Sequence, residues 1–398
     1  MIKVNVTAIK TALKKTRGFA DKTVILSFEN AAIPGSEAHP LMLEASNGTA
    51  QSTIGTVYYG EARKEKYIVS TSIIDVIETI SAFGEELLIE VMEGCLKLTC
   101  GDAQIPVAIQ KDAVNIEIEP ESGEGLKVSL KAVDFANLVA NGGMATGDST
   151  AAPLYSGTVI FTPAVDAEKY YLRALGCCGY FVSSAFAEVE VKNTEGDKVK
   201  NTDIFNCFAG VGENKQRNIA VNYASLLALT KRLVGEEVEL FLSKKQLIVK
   251  DGKRDIYIFT IIEGDVAKRI LDSLMPVEKD FEYVFDGTAM KNALAVVGLA
   301  NSASANDKDK IKARLTFGGE TMMVEDASHT SRAAIPAVVI KDNTAERALN
   351  AECLKSIASM ASRGLKVYGP KGGTCVYFEG VNCKALLLPV VEKETKES

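Results

Sequence analysis

"FGEELLIEVMEGCLKLTCG", from Phe83 to Gly101, and "VGEEVELFLSKKQLIVKDG", from Val234 to Gly252, are written to one pattern. Each opens on Gly-Glu-Glu, alternates apolar with other residues, breaks at a polar pair, alternates again and closes on Gly. A period of two turns successive side chains to opposite faces, so each stretch reads as strand, tight turn, strand. A shorter third version, "GLKVYGPKGGTCVYFEG", ends at Gly380, with Pro370, Gly372 and Gly373 marking its turn.

The likeness extends upstream. "VSTSIIDVIETIS" (from Val69), "VNYASLLALTKRL" (from Val221) and "LNAECLKSIASMA" (from Leu349) precede the three hairpins. Each places an apolar residue before Ser70, Asn222 or Asn350, whose side-chain oxygens suit a helix N-cap. Apolar stripes at helical spacing follow: Ile73, Ile77, Ile80; Leu226, Leu229, Leu233; Leu354, Ile357, Ala361. A second helix opens each unit, in "VNVTAIKTALKKT" at the start, "VSLKAVDFANLVAN" from Val128 and "FDGTAMKNALAVVGLAN" from Phe285. Strand-like runs such as "TVILSF", "LMLEAS", "SGTVIFTP", "YLRALG", "KARLTF" and "TMMVED" fill the space between the two helices.

The expectation is a threefold internal repeat of two helices and about eight strands. The units span 1–124, 125–276 and 277–398. Their joints are the polar "NIEIEPESGEG" and "DSLMPVEKD", which carries Pro276. The middle unit is lengthened by "KNTEGDKVKNTD", read as a surface loop. Two helices against a strand-rich remainder predict an α+β fold with the helices on one face of each sheet.

A chain of 398 residues is too long for one ordinary core, which agrees with several domains. No apolar run approaches the ~18–20 residues of a membrane span, and "MIKVNVTAIKTALKK" has no signal-peptide core. A soluble, cytoplasmic protein with reduced thiols is expected. The eight cysteines form no C-x-x-C pair and there are two histidines, His39 and His329, so zinc ligation is not expected. Cys177-Cys178 reads as buried, inert thiol at a strand end rather than as a redox pair. A net charge of −7 argues against a surface coated for gripping phosphate, though not against enclosing nucleic acid through few contacts.

Three such units in this order resemble the bacterial DNA polymerase III beta subunit, the replicative sliding clamp, over essentially the whole chain. The strongest local matches are "SGTVIF" at Ser156, "LRALGCCGYFVSS" at Leu172, "IIEGD" at Ile261 and the terminal "ALLLPVV" at Ala385. The resemblance implies a head-to-tail homodimer of six similar domains, closed around double-stranded DNA with helices lining the hole. It implies a non-catalytic processivity factor that tethers polymerase, clamp loader and repair proteins through a short peptide, with no cofactor and no membrane. A loose electrostatic lining suits sliding, because phosphate contacts carry no sequence information. Two alternatives stay open: a clamp paralogue with changed partners, and a repeat-built enzyme or ligand-binding protein with a site at a domain junction.

On this reading the DNA-facing residues are Lys10, Lys14, Lys15, Arg17, Lys22, Lys131, Lys231, Arg232, Lys291, Lys355 and Arg363. Lys10 and Lys14 share a helix face. The competing reading is an ordinary solvated helix face. The second helix of the first unit carries Asp75 and Glu78 and no cation, which weakens the positive lining there.

The family's partner-peptide pocket carries over onto Tyr155, Leu172, Cys177, Gly179, Tyr180, Phe181, Val182, Val266, Leu386, Leu388, Pro389 and Val390. Where family members have a Thr-Asp-Gly-His-Arg-Leu-like turn, this chain has Cys177, Cys178, Gly179, Tyr180, Phe181 and Val182. The glycine stays and the charged members do not, so the pocket shifts toward aromatic and apolar character. The competing reading of "LLLPVV" is a last core strand. Dimer contacts are expected between edge strands "AQIPVAIQ" and "IKARLTF", with Pro106 removing one ladder donor.

Catalytic motifs are not expected. "GVGENK" at Gly210 lacks the third glycine of a dinucleotide loop, and "GPKGGT" at Gly369 sits at a hairpin turn without Walker spacing. There is no Gly-x-Ser-x-Gly elbow.

Overall fold

A computed structural model describes residues 1–110, 118, 120, 125–146, 157–166, 169–192, 218–252, 254–262, 267–274, 278–302, 312–326, 328–372 and 375–390. The loop reading of 193–203, the "GVGENK" segment, Tyr155, Val266 and Pro276 lie outside them.

The first run of elements is β1 (Ile2–Asn5), α1 (Val6–Thr16), β2 (Thr23–Phe28), β3 (Ala38–Ser46), β4 (Ala50–Gly60), β5 (Glu65–Ser70), α2 (Ile73–Ile80), β6 (Glu86–Met92), β7 (Cys95–Cys100) and β8 (Ala103–Ala108). The second is β9 (Leu126–Lys131), α3 (Ala132–Gly142), β10 (Thr158–Asp166), β11 (Lys169–Cys177), β12 (Phe181–Glu188), β13 (Glu190–Lys192), β14 (Ile219–Asn222), α4 (Tyr223–Thr230), β15 (Glu237–Leu242), β16 (Gln246–Asp251) and β17 (Asp255–Thr260). After α5 (Ala267–Ser273) comes the third: β18 (Phe281–Phe285), α6 (Gly287–Ser302), β19 (Lys312–Gly318), β20 (Thr321–Glu325), β21 (Arg332–Lys341), β22 (Ala345–Asn350), α7 (Ala351–Ile357), β23 (Leu365–Gly369), β24 (Val376–Gly380) and β25 (Cys383–Leu387). One order, strand–helix–strands–helix–three strands, therefore recurs three times. The hairpins that introduced the repeat are β6–β7, β15–β16 and β23–β24.

Contacts group the chain into two compact units. One comprises Met1–Ala136, Val189–Lys215 and Ala224–Ile262; the other comprises Asn137–Glu188, Gln216–Tyr223 and Glu263–Ser398. The first holds a 13-stranded sheet, ordered β13-β9-β15-β16-β17-β4-β1-β6-β7-β8 with β2, β3 and β5 off this path. The second holds a 12-stranded sheet, ordered β14-β10-β11-β12-β25-β24-β23-β18-β21-β20-β19-β22. Every pairing among the described residues is antiparallel; strands such as β3 and β7 alternate buried with less buried positions, whereas β2 and β10 are buried on both faces. In the first unit the strand pair β4–β17 joins consecutive repeats; in the second, β12–β25 does.

Local chemistry explains the helices. Asn5 caps α1, its Oδ1 accepting from Ala8 N at 2.9 Å. Asn350 caps α7, accepting from Glu352 N and Cys353 N at 2.9 and 3.1 Å. The stripes Ile73, Ile77 and Ile80, and Leu354 and Ile357, are buried as their spacing predicts. In the first unit Phe19 packs on Tyr257 and Phe259, with ring centroids 5.4 and 5.9 Å apart.

Two expectations need correction. Ser70 does not cap α2: Ser72 holds the cap position without a side-chain bond, and the Ser70 hydroxyl accepts from Ser72 N instead. "IKARLTF" is not an edge strand, because β19 is paired on one side by β20 and on the other by β22. Its alternating pattern could not separate a strand with two neighbours from one with a free side.

Candidate nucleic-acid and partner-peptide faces

In the first unit Lys14 of α1 and Arg17 just after it meet the acids of α2. Lys10 Nζ donates to Ser81 Oγ at 2.9 Å, Lys14 Nζ lies 2.6 Å from Glu78 Oε1, and the Arg17 guanidinium contacts Asp75. The Lys14 ammonium hydrogen-bonded to Glu78 holds that carboxyl below its usual range. A polar cavity of about 340 Å³ lies beside the Arg17–Asp75 pair, lined also by Ser70, Thr71 and Ser72.

Two of the expected DNA-facing residues are placed otherwise. Lys15 is paired with Asp255, and both side chains are nearly closed off, at 12% and 10% exposure. Arg232 donates from Nη1 to the Lys15 carbonyl at 2.7 Å and lies against Gly18, so it closes the C-terminal end of α1. Burial pushes its guanidinium down. Both cations hold elements together, because each finds an acceptor from a distant segment that sequence spacing does not reveal.

Lys22, Lys131, Lys231, Lys291 and Arg363 are exposed. Lys355 is half-buried and pairs with Glu352 of its own helix at 2.6 Å. Taken together, the two helices of each repeat carry five lysines and four carboxylates, so their charge is nearly balanced.

The second unit assembles most of the expected peptide pocket. The β11–β12 hairpin closes at Cys177 opposite Val182, with Gly179 in the left-handed region at φ +88°. The last strand pairs with this hairpin, Phe181 opposite Leu387 and Val182 opposite Leu386. Beyond it Leu388 N donates to Tyr180 O at 2.9 Å and Val390 N to Ala348 O at 2.9 Å. Turn and tail are thereby fastened to each other. Leu172, Phe181, Val182 and Leu386 are buried, and Leu388, Pro389 and Val390 are half-buried. Tyr180 is 46% exposed, which makes it the open aromatic of the group.

Three participants, Cys353, Tyr368 and Tyr377, were not expected from the sequence. The Tyr180 hydroxyl lies beside the thiols of Cys178 and Cys353, the latter from α7. Burial first, with these thiols next to it, pushes Tyr180 up to about 12, and burial pushes Cys353 up to about 12. These are buried, weakly acidic groups rather than reactive thiolates. Tyr377 and Tyr368 continue the row that starts at Val182 and Leu386, each directly opposite the next across β25, β24 and β23. Their rings stack at 5.4 Å, Lys279 Nζ sits 4.3 Å over Tyr368, and Tyr377 Oη donates to Ser273 O of α5 at 3.4 Å. Two tyrosines opposite each other in the third hairpin, Tyr368 and Tyr377, were a usable clue, since one face of such a hairpin is usually polar.

Among the described residues no group of His, Cys, Asp and Glu is suited to hold a metal ion, and no helix is long and apolar enough to cross a membrane. Every cysteine among them is free.

This fold is the sliding-clamp fold. Solved structures that share it are DNA polymerase III beta chains. The beta chain of Streptococcus pneumoniae superposes with a TM-score of 0.75 at 14% identity, covering 98% of this chain and 99% of that one. The beta subunit of Pseudomonas aeruginosa gives 0.74 at 13%, covering 98% and 100%. A Helicobacter pylori beta clamp bound to a DNA ligase peptide gives 0.70 at 13%, covering 98% and 100%. No protein-family model matches the sequence. No curated protein matches it either.

Proposed function

We propose that this chain is a sliding clamp: a cytoplasmic, non-catalytic subunit that encircles double-stranded DNA as a ring of two copies and tethers a DNA polymerase and other replication or repair proteins. The observation that carries this reading is the clamp fold over 98% of the chain. The three segments 1–124, 125–276 and 277–398 are its three domains. A ring retains DNA by topology, so the nearly balanced charge of the helices is compatible with sliding. The remaining exposed cations, Lys22, Lys131, Lys231, Lys291 and Arg363, with Lys10, Lys14 and Arg17 behind their partners, are its DNA-facing residues.

Partners dock by a short peptide on the turn-and-tail pocket of Cys177, Gly179, Tyr180, Phe181, Val182, Leu386, Leu388, Pro389 and Val390, while Leu172, opposite Ala187, stands five residues before the turn on β11. The clamp loader uses the same pocket. The bound ligase peptide of the Helicobacter pylori clamp supports this mode. Exposed Tyr180 beside buried Phe181 favours apolar anchors and a partner set that differs from other clamps.

Negative-stain electron microscopy of the purified protein tests the architecture. Rings with an opening wide enough for duplex DNA are expected; compact particles or open arcs would overturn the reading.

A further inference from the structure

The sheet of the second unit is covered on both faces around its last strand. Val376, Phe378 and Leu387 are buried on one face. On the other, one row runs straight across neighbouring strands: Cys177, Val182, Leu386, Tyr377, Tyr368 and Glu282, each directly opposite the next. Val182, Leu386, Tyr377 and Tyr368 are buried as well, none more than 7% exposed. A sheet buried on both faces has a further layer over it.

α5 belongs to that layer. It contacts β11, and at its last residue the Ser273 carbonyl accepts from Tyr377 Oη at 3.4 Å. β12 and β25 stand between β11 and β24 in the sheet, so α5 crosses the face that carries Val182 and Leu386. Ile270 of α5 and Leu274 just after it are buried. Seven residues are too few to hold a helix in water on their own, so the place of α5 is set by what it touches. Its last carbonyls find separate donors: Ser273 Oγ donates to Ile270 O at 2.7 Å, Leu274 N to Leu271 O at 3.0 Å, and Tyr377 Oη to Ser273 O. Of these donors, Tyr377 is the one that comes from the sheet.

Tyr377 is itself fixed. Its ring stacks on Tyr368 with 5.4 Å between centroids and 6° between planes. Lys279 Nζ lies 4.3 Å over Tyr368 and 2.8 Å from Glu282 Oε1, and Lys341 donates to Lys279 O. The stack therefore holds the chain twice, at Ser273 and at Lys279, on either side of the step from α5 into β18. Both rings stand on strands with a neighbour on each side, which makes the anchor rigid.

We infer that Tyr377, backed by Tyr368 and Lys279, is a positioning residue of the peptide pocket: it pins α5 over Val182 and Leu386 and so sets how far that face opens beside Tyr180 and Leu388. The placement of α5 stands on the structure; its role in binding rests on the peptide-pocket reading. Leu388 N donates to Tyr180 O, two residues beyond Leu386 and two before Val182, so the covered pair adjoins the open one. Tyr377 acts through α5 and not on the peptide. With α5 pinned, the groove is preformed for an anchor of one size; with α5 released, it is wider and less selective.

Tyr377→Phe keeps the stacked ring and removes the donor to Ser273 O, and its far-ultraviolet spectrum should match the parent's. Hydrogen exchange read by mass spectrometry should be about fivefold faster in the fragment carrying 267–274 and unchanged in β12 and β25. In fluorescence anisotropy, a labelled peptide with Leu and Phe anchors should bind about fivefold more weakly, whereas the same peptide with Trp in place of Phe should lose less than about twofold. Tyr368→Leu should shift the ratio of the two affinities in the same direction. General loosening of the fold would weaken both peptides alike. Unchanged exchange in 267–274, equal losses for the two peptides, or faster exchange with both affinities kept would each overturn the inference and leave the pocket reading standing. A parent that binds neither peptide, or that binds them as well after Leu388→Asp and after termination at Leu387, overturns the pocket reading and this role of Tyr377 with it.

Discussion

Lys14 Nζ lies 2.6 Å from Glu78 Oε1, and Arg17 makes a second such contact with Asp75 one turn away on α2. Two cations at the first helix, Lys14 and Arg17, are therefore engaged by acids of the second helix of the same repeat. Exposed pairs of this kind contribute little stability, about 0–1 kcal/mol, so their main effect is on the field that DNA meets. Replacing both acids, Asp75→Asn with Glu78→Gln, should release two cations and steepen the salt dependence of DNA retention by up to about two charges. Charge reversal of Lys10 with Lys14 should weaken retention. Fluorescence anisotropy on duplex DNA between 50 and 200 mM salt reads both, and unchanged slopes would remove α1 from the DNA-facing set.

The Lys15–Asp255 pair behaves differently because it is enclosed. Lys15→Met leaves a buried carboxylate without its partner and should cost about 3–5 kcal/mol. Lys15→Met with Asp255→Leu should recover most of that loss. Urea denaturation of the four members of the cycle measures it, and additive losses would show that the pair is not coupled.

Asp326 offers a pH signature. Burial by itself would raise its carboxyl, but bonds from the Ser328 and Thr330 hydroxyls and from Ser328 N and Ser331 N outweigh it and hold it at about 2. A carboxyl depressed by folding stabilises the protein above its unfolded value of about 3.9, and that stability is lost as pH falls toward about 2. Asp326→Asn should lower stability by about 2 kcal/mol at neutral pH. The difference from the parent should shrink between about pH 4 and pH 2, in thermal unfolding followed by circular dichroism. A difference that is constant with pH would contradict the assignment.

The pocket test must spare the last strand. β25 is flanked by β12 and β24, so truncation before Leu386 would cut a central strand of the sheet. A chain ending at Leu387, or Leu388→Asp in the full chain, keeps that strand. Each should weaken binding of a labelled peptide with Leu and Phe anchors by about tenfold or more, since one buried anchor contributes ~1.5–3 kcal/mol. Retained affinity in both would place the peptide elsewhere.

The sequence by itself determined the repeat and its elements. Alternation in the three hairpins, helical stripes such as Ile73–Ile77–Ile80 and the cap at Asn350 are local signals, and each was found in place. It also put Tyr180 and Leu388 on one list, which the strand pair β12–β25 makes a contact. Only the tertiary structure decided what each strand lies beside. Period two is the same for β19, with two neighbours, as for β8, with one among the described residues. It likewise decided which lysines are free: Lys14 and Lys15 are adjacent in the chain, yet one faces solvent against Glu78 and the other is closed in against Asp255. Pattern reports the face that a side chain takes. Its partner comes from a segment up to 240 residues away, and is fixed when the sheet closes.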